Sequence, residues 1–131
     1  MIAVDTNVLV RLVTNDDPAQ ASRAVRLFAS EDVFVPKTVL LETEWVLRGA
    51  YGLDRALIAD ALERLVGTAS VAVETPAAVR RALGWFRAGL DFADALHLAS
   101  LAPAAERFVT LDRGLARRVR RAADAPPVEP L

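Results

Sequence analysis

With 131 residues, a formal net charge of -1 and no cysteine, the chain has the length of one ordinary domain, and disulfides, thiolate metal sites and cysteine nucleophiles are excluded. A composition of 53% hydrophobic and 25% charged residues belongs to a packed globular protein, and a charge so near neutral argues against a wholesale polyanion binder. No apolar run approaches the roughly 20 residues of a membrane span, and the early acid Asp5 is unlike the basic start of a secretory signal, so no membrane and a cytoplasmic location are expected.

In chain order, "IAVD" reads as a strand and "NVLVRLV" as a short helix, with "DTN" between them composed of residue types that cap helices. "NDDP" punctuates, and "PAQASRAVRLFAS" from Pro18 to about Ser30 sets Ala21, Val25 and Phe28 at helical spacing. "VFVP" is a short strand closed by Pro36, and "TVLLETEWVLRGAYG" is a helix ending near Gly49 to Gly52. "DRALIADALERLVG" is another, with Asp54 as cap and Gly67 as stop. "SVAVET" reads as a strand, "PAAVRRALGWFRAG" as a helix from Pro76 to Gly89, and "LDFADALHLASLAP" as a helix ending by Pro103. "RFVTLD" is the next strand, "RGLARRVRRAA" the last clear helix, and "DAPPVEPL" either a final edge strand or a loose tail. Strands separated by helices imply βαβ units, hence an α/β fold of three layers, α/β/α, around a central, mainly parallel sheet of four or five strands, in a single domain over residues 1–131.

Ligands of open α/β sheets bind beyond the carboxyl ends of the strands, and two acids stand at such ends, Asp5 after "IAV" and Asp112 after "FVTL". Either alone can be a turn or helix cap, and Thr110 with Asp112 can form a simple turn. Two at equivalent places favour a function. In "LLETEWVL", Glu44 has Arg48 four residues on, a surface ion pair of about 0.2–0.5 kcal/mol. Glu42 shares its expected face with Val39, Trp45 and Val46, where an unpaired carboxylate is costly. In "DFADALHLA", Asp91 is read as a cap, with Asp94 three residues on in a capping box, inside the first turn where the helix dipole tolerates negative charge. The lone His97 has no histidine or cysteine partner and reads as a core-edge residue, with ligand or base as alternatives. Asp5, Glu42, Asp94 and Asp112 together form four carboxylates from four segments. An all-oxygen set of this kind suits Mg²⁺ or Mn²⁺, and its natural chemistry is metal-assisted phosphodiester hydrolysis.

"VDTNVLVRL", "LLETEWVL", "DFADALHLA" and "FVTLDRGL", in this order over essentially the whole chain, resemble the PIN domain, and within it the VapC-type toxin ribonucleases of toxin–antitoxin pairs. The resemblance maps the family's acidic quartet onto Asp5, Glu42, Asp94 and Asp112 as catalytic, metal-binding residues. Thr6 and Asn7 would hold Asp5 and a coordinated water by hydrogen bonds, and Asp91 would support the site from behind. It implies an Mg²⁺- or Mn²⁺-dependent endoribonuclease that leaves a 5′-phosphate and a 3′-hydroxyl, works as a homodimer and is inhibited by a small cognate antitoxin. Leu9, Leu12, Val13, Val25 and Phe28 offer apolar surface to such partners, or simply fill the core. Arg113, Arg117, Arg120 and Arg121, at i, i+4, i+7 and i+8, form a basic stripe beside Asp112 that reads either as an RNA backbone contact or as a solvated helix face.

A haloacid-dehalogenase-type phosphatase also ends its first strand on an acid, but it wants a second acid at position 7, which is Asn, and a lysine, of which Lys37 is the only one. A receiver domain lacks its lysine and phosphoacceptor counterparts in the same way. From another class, a noncatalytic PIN-like module binding RNA or protein is the alternative reading.

Overall fold

The computed structural model describes residues 1–131. The chain divides into two compact units, Met1–Pro76 and Ala77–Leu131.

In the first unit, strands β1 (Ile2–Ala3), β2 (Val33–Val35) and β3 (Val71–Val73) pair in that order, all in parallel, with Ile2 opposite Val33 and Val33 opposite Val71. Parallel neighbours require crossovers. These are helices α1 (Thr6–Thr14) and α2 (Pro18–Ser30) between β1 and β2, and α3 (Lys37–Gly49) and α4 (Arg55–Val66) between β2 and β3. Helix α1 packs on α2 and α3, and α4 on α3 and β3. Val33, Val35, Leu40, Leu47 and Ile58 are fully buried, so the β-branched strand residues and one stripe of each crossover helix make the core.

The helix starts are chemically explicit. Asp5, Asp17 and Asp54 cap α1, α2 and α4 by accepting the backbone N–H of Val8 (3.3 Å), Gln20 (3.1 Å) and Leu57 (2.9 Å), and Pro18 occupies the first turn of α2. Helix α3 has no such local group, because Pro36 precedes it. Its first N–H, from Lys37, donates instead to Glu74 just beyond β3, at 3.0 Å. Asp54→Ala is expected to cost about 1 kcal/mol in a denaturant titration, the usual worth of a cap. A midpoint equal to wild type would show that α4 is held by packing alone.

In the second unit, α5 (Pro76–Arg87) and α6 (Phe92–Ala99) precede β4 (Phe108–Thr110), α7 (Arg113–Val119) and β5 (Val128–Pro130). Strands β4 and β5 pair in parallel, Phe108 opposite Val128, so the proline-rich tail is an edge strand. Val79, Leu83, Phe86, Phe92, Leu98 and Leu115 form this unit's core, with the Phe86 and Phe92 rings edge to face at 5.4 Å. The Trp85 indole N–H donates to the Ala123 carbonyl at 2.9 Å, and Arg81 lies over the Trp85 ring while donating to the Asp124 carbonyl, which fixes the segment after α7 onto α5.

The expected fold class is therefore found: α/β, with five strands all paired in parallel and joined through seven helices. The strands form a three-stranded and a two-stranded ladder. No helix is long and apolar enough to cross a membrane.

Candidate functional site

The two acids expected at strand ends are both there, and both have the same local chemistry. Asp5 follows β1 and caps α1; Asp112 follows β4 and caps α7, accepting the Leu115 N–H at 3.0 Å. The turn between Thr110 and Asp112 is also real, with the Asp112 N–H donating to the Thr110 hydroxyl at 3.0 Å. A cap uses one carboxylate oxygen and leaves lone pairs on the other. Capping and ligand binding are thus compatible roles for the same side chain.

Helix α3 is turned otherwise than the sequence suggests. Its buried stripe is Leu40, Thr43, Glu44 and Leu47, so Glu44, expected at the surface, is 2% exposed, while Glu42 and Trp45, expected on an apolar face, are exposed. Glu44 keeps its expected partner: the Arg48 Nε–H lies 3.2 Å from both carboxylate oxygens. Glu42 is fixed by Thr6, whose buried hydroxyl donates to its Oε1. Thr6 therefore holds Glu42, a partner additional to the Asp5 and coordinated water that the resemblance implies for it. Asn7, its exposed neighbour, lines a cavity of about 370 Å³ with Val8, Arg11, Gln20 and Leu27. Nearby, Arg11, Asp16 and Tyr51 form a network unanticipated from sequence, in which the Tyr51 hydroxyl donates to Asp16 at 2.6 Å. That bond holds Asp16 below the ordinary aspartate range.

In the second unit, Asp91 stands at the N-cap of α6, but its side chain caps nothing, so the expected capping box does not form. Asp94 lies in the first turn, half-buried. Burial raises its pKa, and the neighbouring charge of Asp91 raises it further, followed more weakly by that of Asp112; His97 and Arg118 act in opposition. No hydrogen bond or ion pair engages its carboxylate, so the more distant His97 and Arg118 only partly offset its burial. Asp112 is shifted the other way, below its ordinary value, chiefly by the Leu115 N–H. His97 is exposed and stacks on Phe108, ring centroids 6.4 Å apart.

The basic stripe is shorter than its spacing suggests. Helix α7 ends at Val119, so Arg120 is its C-cap and Arg121 lies beyond it. Arg113, Arg117 and Arg120 still line one cavity of about 390 Å³, with Ala116, Pro130 and Leu131.

A scan against family models matches the PIN domain over residues 2–121. The chain belongs to the PIN domain family. No curated protein matches it. The match contains all four acids and every element except β5. A PIN domain is a nuclease-type fold, which makes this chain, at a coarse level, a hydrolase of nucleic acid, and PIN domains typically bind divalent metals. The donor chemistry fits such an ion: every candidate donor is a carboxylate oxygen, and burial and the neighbouring Asp91 disfavour the bare charge of Asp94. Within neither unit do three or more aspartate, glutamate or histidine side chains stand close enough to hold a metal ion.

Proposed function

We propose that this PIN domain is an Mg²⁺- or Mn²⁺-dependent endoribonuclease in which residues 1–131 act as one domain and Asp5, Glu42, Asp94 and Asp112 jointly supply the cation's ligands. The observation that carries this reading is Asp94, a half-buried carboxylate whose burial and neighbouring acids outweigh the opposing His97 and Arg118, with no hydrogen bond of its own. A group in that state is stabilised by a cation and costly without one. When bound, the cation supplies activation of water and neutralisation of charge at the phosphate.

The chain's own residues divide the remaining work. The Thr6 hydroxyl fixes Glu42, the Leu115 N–H fixes Asp112, and Asp91 adds negative charge beside Asp94. Asn7, close to Asp5 in sequence, supports it and a coordinated water. Arg113, Arg117 and Arg120, and Arg121 beyond the helix, meet RNA backbone phosphates, a contact that salt weakens. Hydrolysis leaves a 5′-phosphate and a 3′-hydroxyl.

A toxin role in the cytoplasm, with a second copy and a small antitoxin as partners, is the finer reading. What supports it is a groove of about 480 Å³ in the first unit, lined by Leu9, Leu12, Val13, Val25 and Phe28 together with Leu65. Of these, Val25 is 55% exposed, whereas Leu9 is buried in the core.

The test is incubation of the full chain with mixed-sequence RNA in Mg²⁺, Mn²⁺ or EDTA, with product ends mapped. Cation-dependent products bearing 5′-phosphates are expected. Products ending in 2′,3′-cyclic phosphates would replace water by the RNA's own 2′-hydroxyl as nucleophile and end this reading. Binding of RNA without cleavage in any cation would favour the noncatalytic module.

A further inference from the structure

Arg118 does not line the arginine cavity. Its guanidinium turns back along α7, over Gly114, and places Nη2 at 3.4 Å from Asp112 Oδ2, with both side chains about half exposed. The spacing of six is not one at which helical side chains ordinarily meet. It works here because Asp112 is the cap, outside the helix proper, and because residue 114 has no side chain. A Cβ at Gly114 would sit 2.9 Å from Arg118 Nη1 and 3.1 Å from Asp112 Oδ1. Glycine inside a helix is otherwise a poor choice, and the room it leaves for Arg118 is what it contributes. The same guanidinium also acts on Asp94, so one positive charge faces two of the four proposed ligands.

We infer that Arg118 is a built-in counter-cation, seated over Gly114, which occupies the Asp112 carboxylate when no divalent ion is bound and has to leave it for the ion to bind. The inference rests on the reading that Asp94 and Asp112 are ligands. Exposed pairs of this length are weak, and a divalent ion carries twice the charge on a smaller body, so the exchange favours the ion. Arg118 thereby sets how much free cation the protein needs.

The test titrates Mn²⁺ alone into the full chain by calorimetry at one fixed ionic strength. Arg118→Gln is expected to tighten Mn²⁺ binding about two- to fivefold, the range set by an exposed ion pair. Gly114→Ala keeps the positive charge but displaces it, because the flexible guanidinium yields before Asp112 Oδ1, which the Leu115 N–H holds. It should tighten binding in the same direction by a smaller factor. Arg80→Gln, which removes an exposed positive charge from α5, controls for net charge and should leave the affinity within about 1.5-fold. Mn²⁺ binding that Asp94→Asn abolishes, but that Arg118→Gln changes no more than Arg80→Gln does, overturns the counter-cation alone. If Asp94→Asn leaves Mn²⁺ binding intact, the ligand assignment itself fails and takes the inference with it.

Discussion

Asp94→Asn is expected to remove cation-dependent RNA cleavage and, in the same protein, to raise the cation-free unfolding temperature. Loss of a supporting contact at a metal site typically costs 10–100-fold, and loss of a ligand more, so cleavage should fall by over about 100-fold. The stability gain follows from the direction of the Asp94 shift. Burial and Asp91 raise its pKa in the folded state above the ordinary value of 3.8. Below that value the group is protonated in both states and opposes nothing. As pH rises through the window between the ordinary and the raised pKa, the unfolded chain releases its proton first, and folded stability is lost. The asparagine has no proton to lose, so the variant's thermal midpoint should be higher than wild type's at neutral pH and equal to it in acid. Saturating Mg²⁺ or Mn²⁺ should stabilise wild type and leave the variant unmoved. A variant that still cleaves in Mn²⁺ would remove Asp94 from the chemistry.

The largest stability effect is expected at Phe92. It is fully buried, meets the Phe86 ring edge to face, and is the first residue of α6, between Asp91 and Asp94. Phe92→Ala should cost about 3–5 kcal/mol, from lost burial and the cavity left behind. Domains are stable by only about 5–15 kcal/mol, so a large share of the total goes. Activity should fall with the unfolded fraction and return on cooling, which distinguishes it from the ligand variant, whose loss persists at every temperature. A denaturation midpoint equal to wild type would mean that the second unit closes around the missing ring.

Much of the helix layout was legible because its signals are local. Asp17 with Pro18, and Asp54 with Gly67, delimit α2 and α4 within a few residues of chain, and the structure has α2 over the expected Pro18–Ser30. Placing Asp5 and Asp112 at strand ends succeeded for the same reason. The faces of α3 were misread because its buried stripe carries Thr43 and Glu44 at its centre while Trp45 faces solvent. Hydrophobic periodicity follows residue type, and here packing overrode it. The Arg118 pair is outside any helical spacing rule, and its one sequence signal is a glycine near the start of a helix. The end of α7 at Val119, with Arg120 as its C-cap, carries no local stop signal such as glycine or proline in the sequence.

The bond from Lys37 to Glu74 has a consequence for how the protein comes into being. Helix α3 carries Glu42, yet the acceptor for its first N–H lies 37 residues later in the chain. A ribosome that has made α3 has not yet made its cap. Until α4 and β3 emerge and β3 aligns with β2, the start of α3 is satisfied only by water. The first turn of α3 therefore gains its side-chain acceptor late, after a non-local step of the kind that slows folding, and a nascent chain stopped short of residue 74 would lack it.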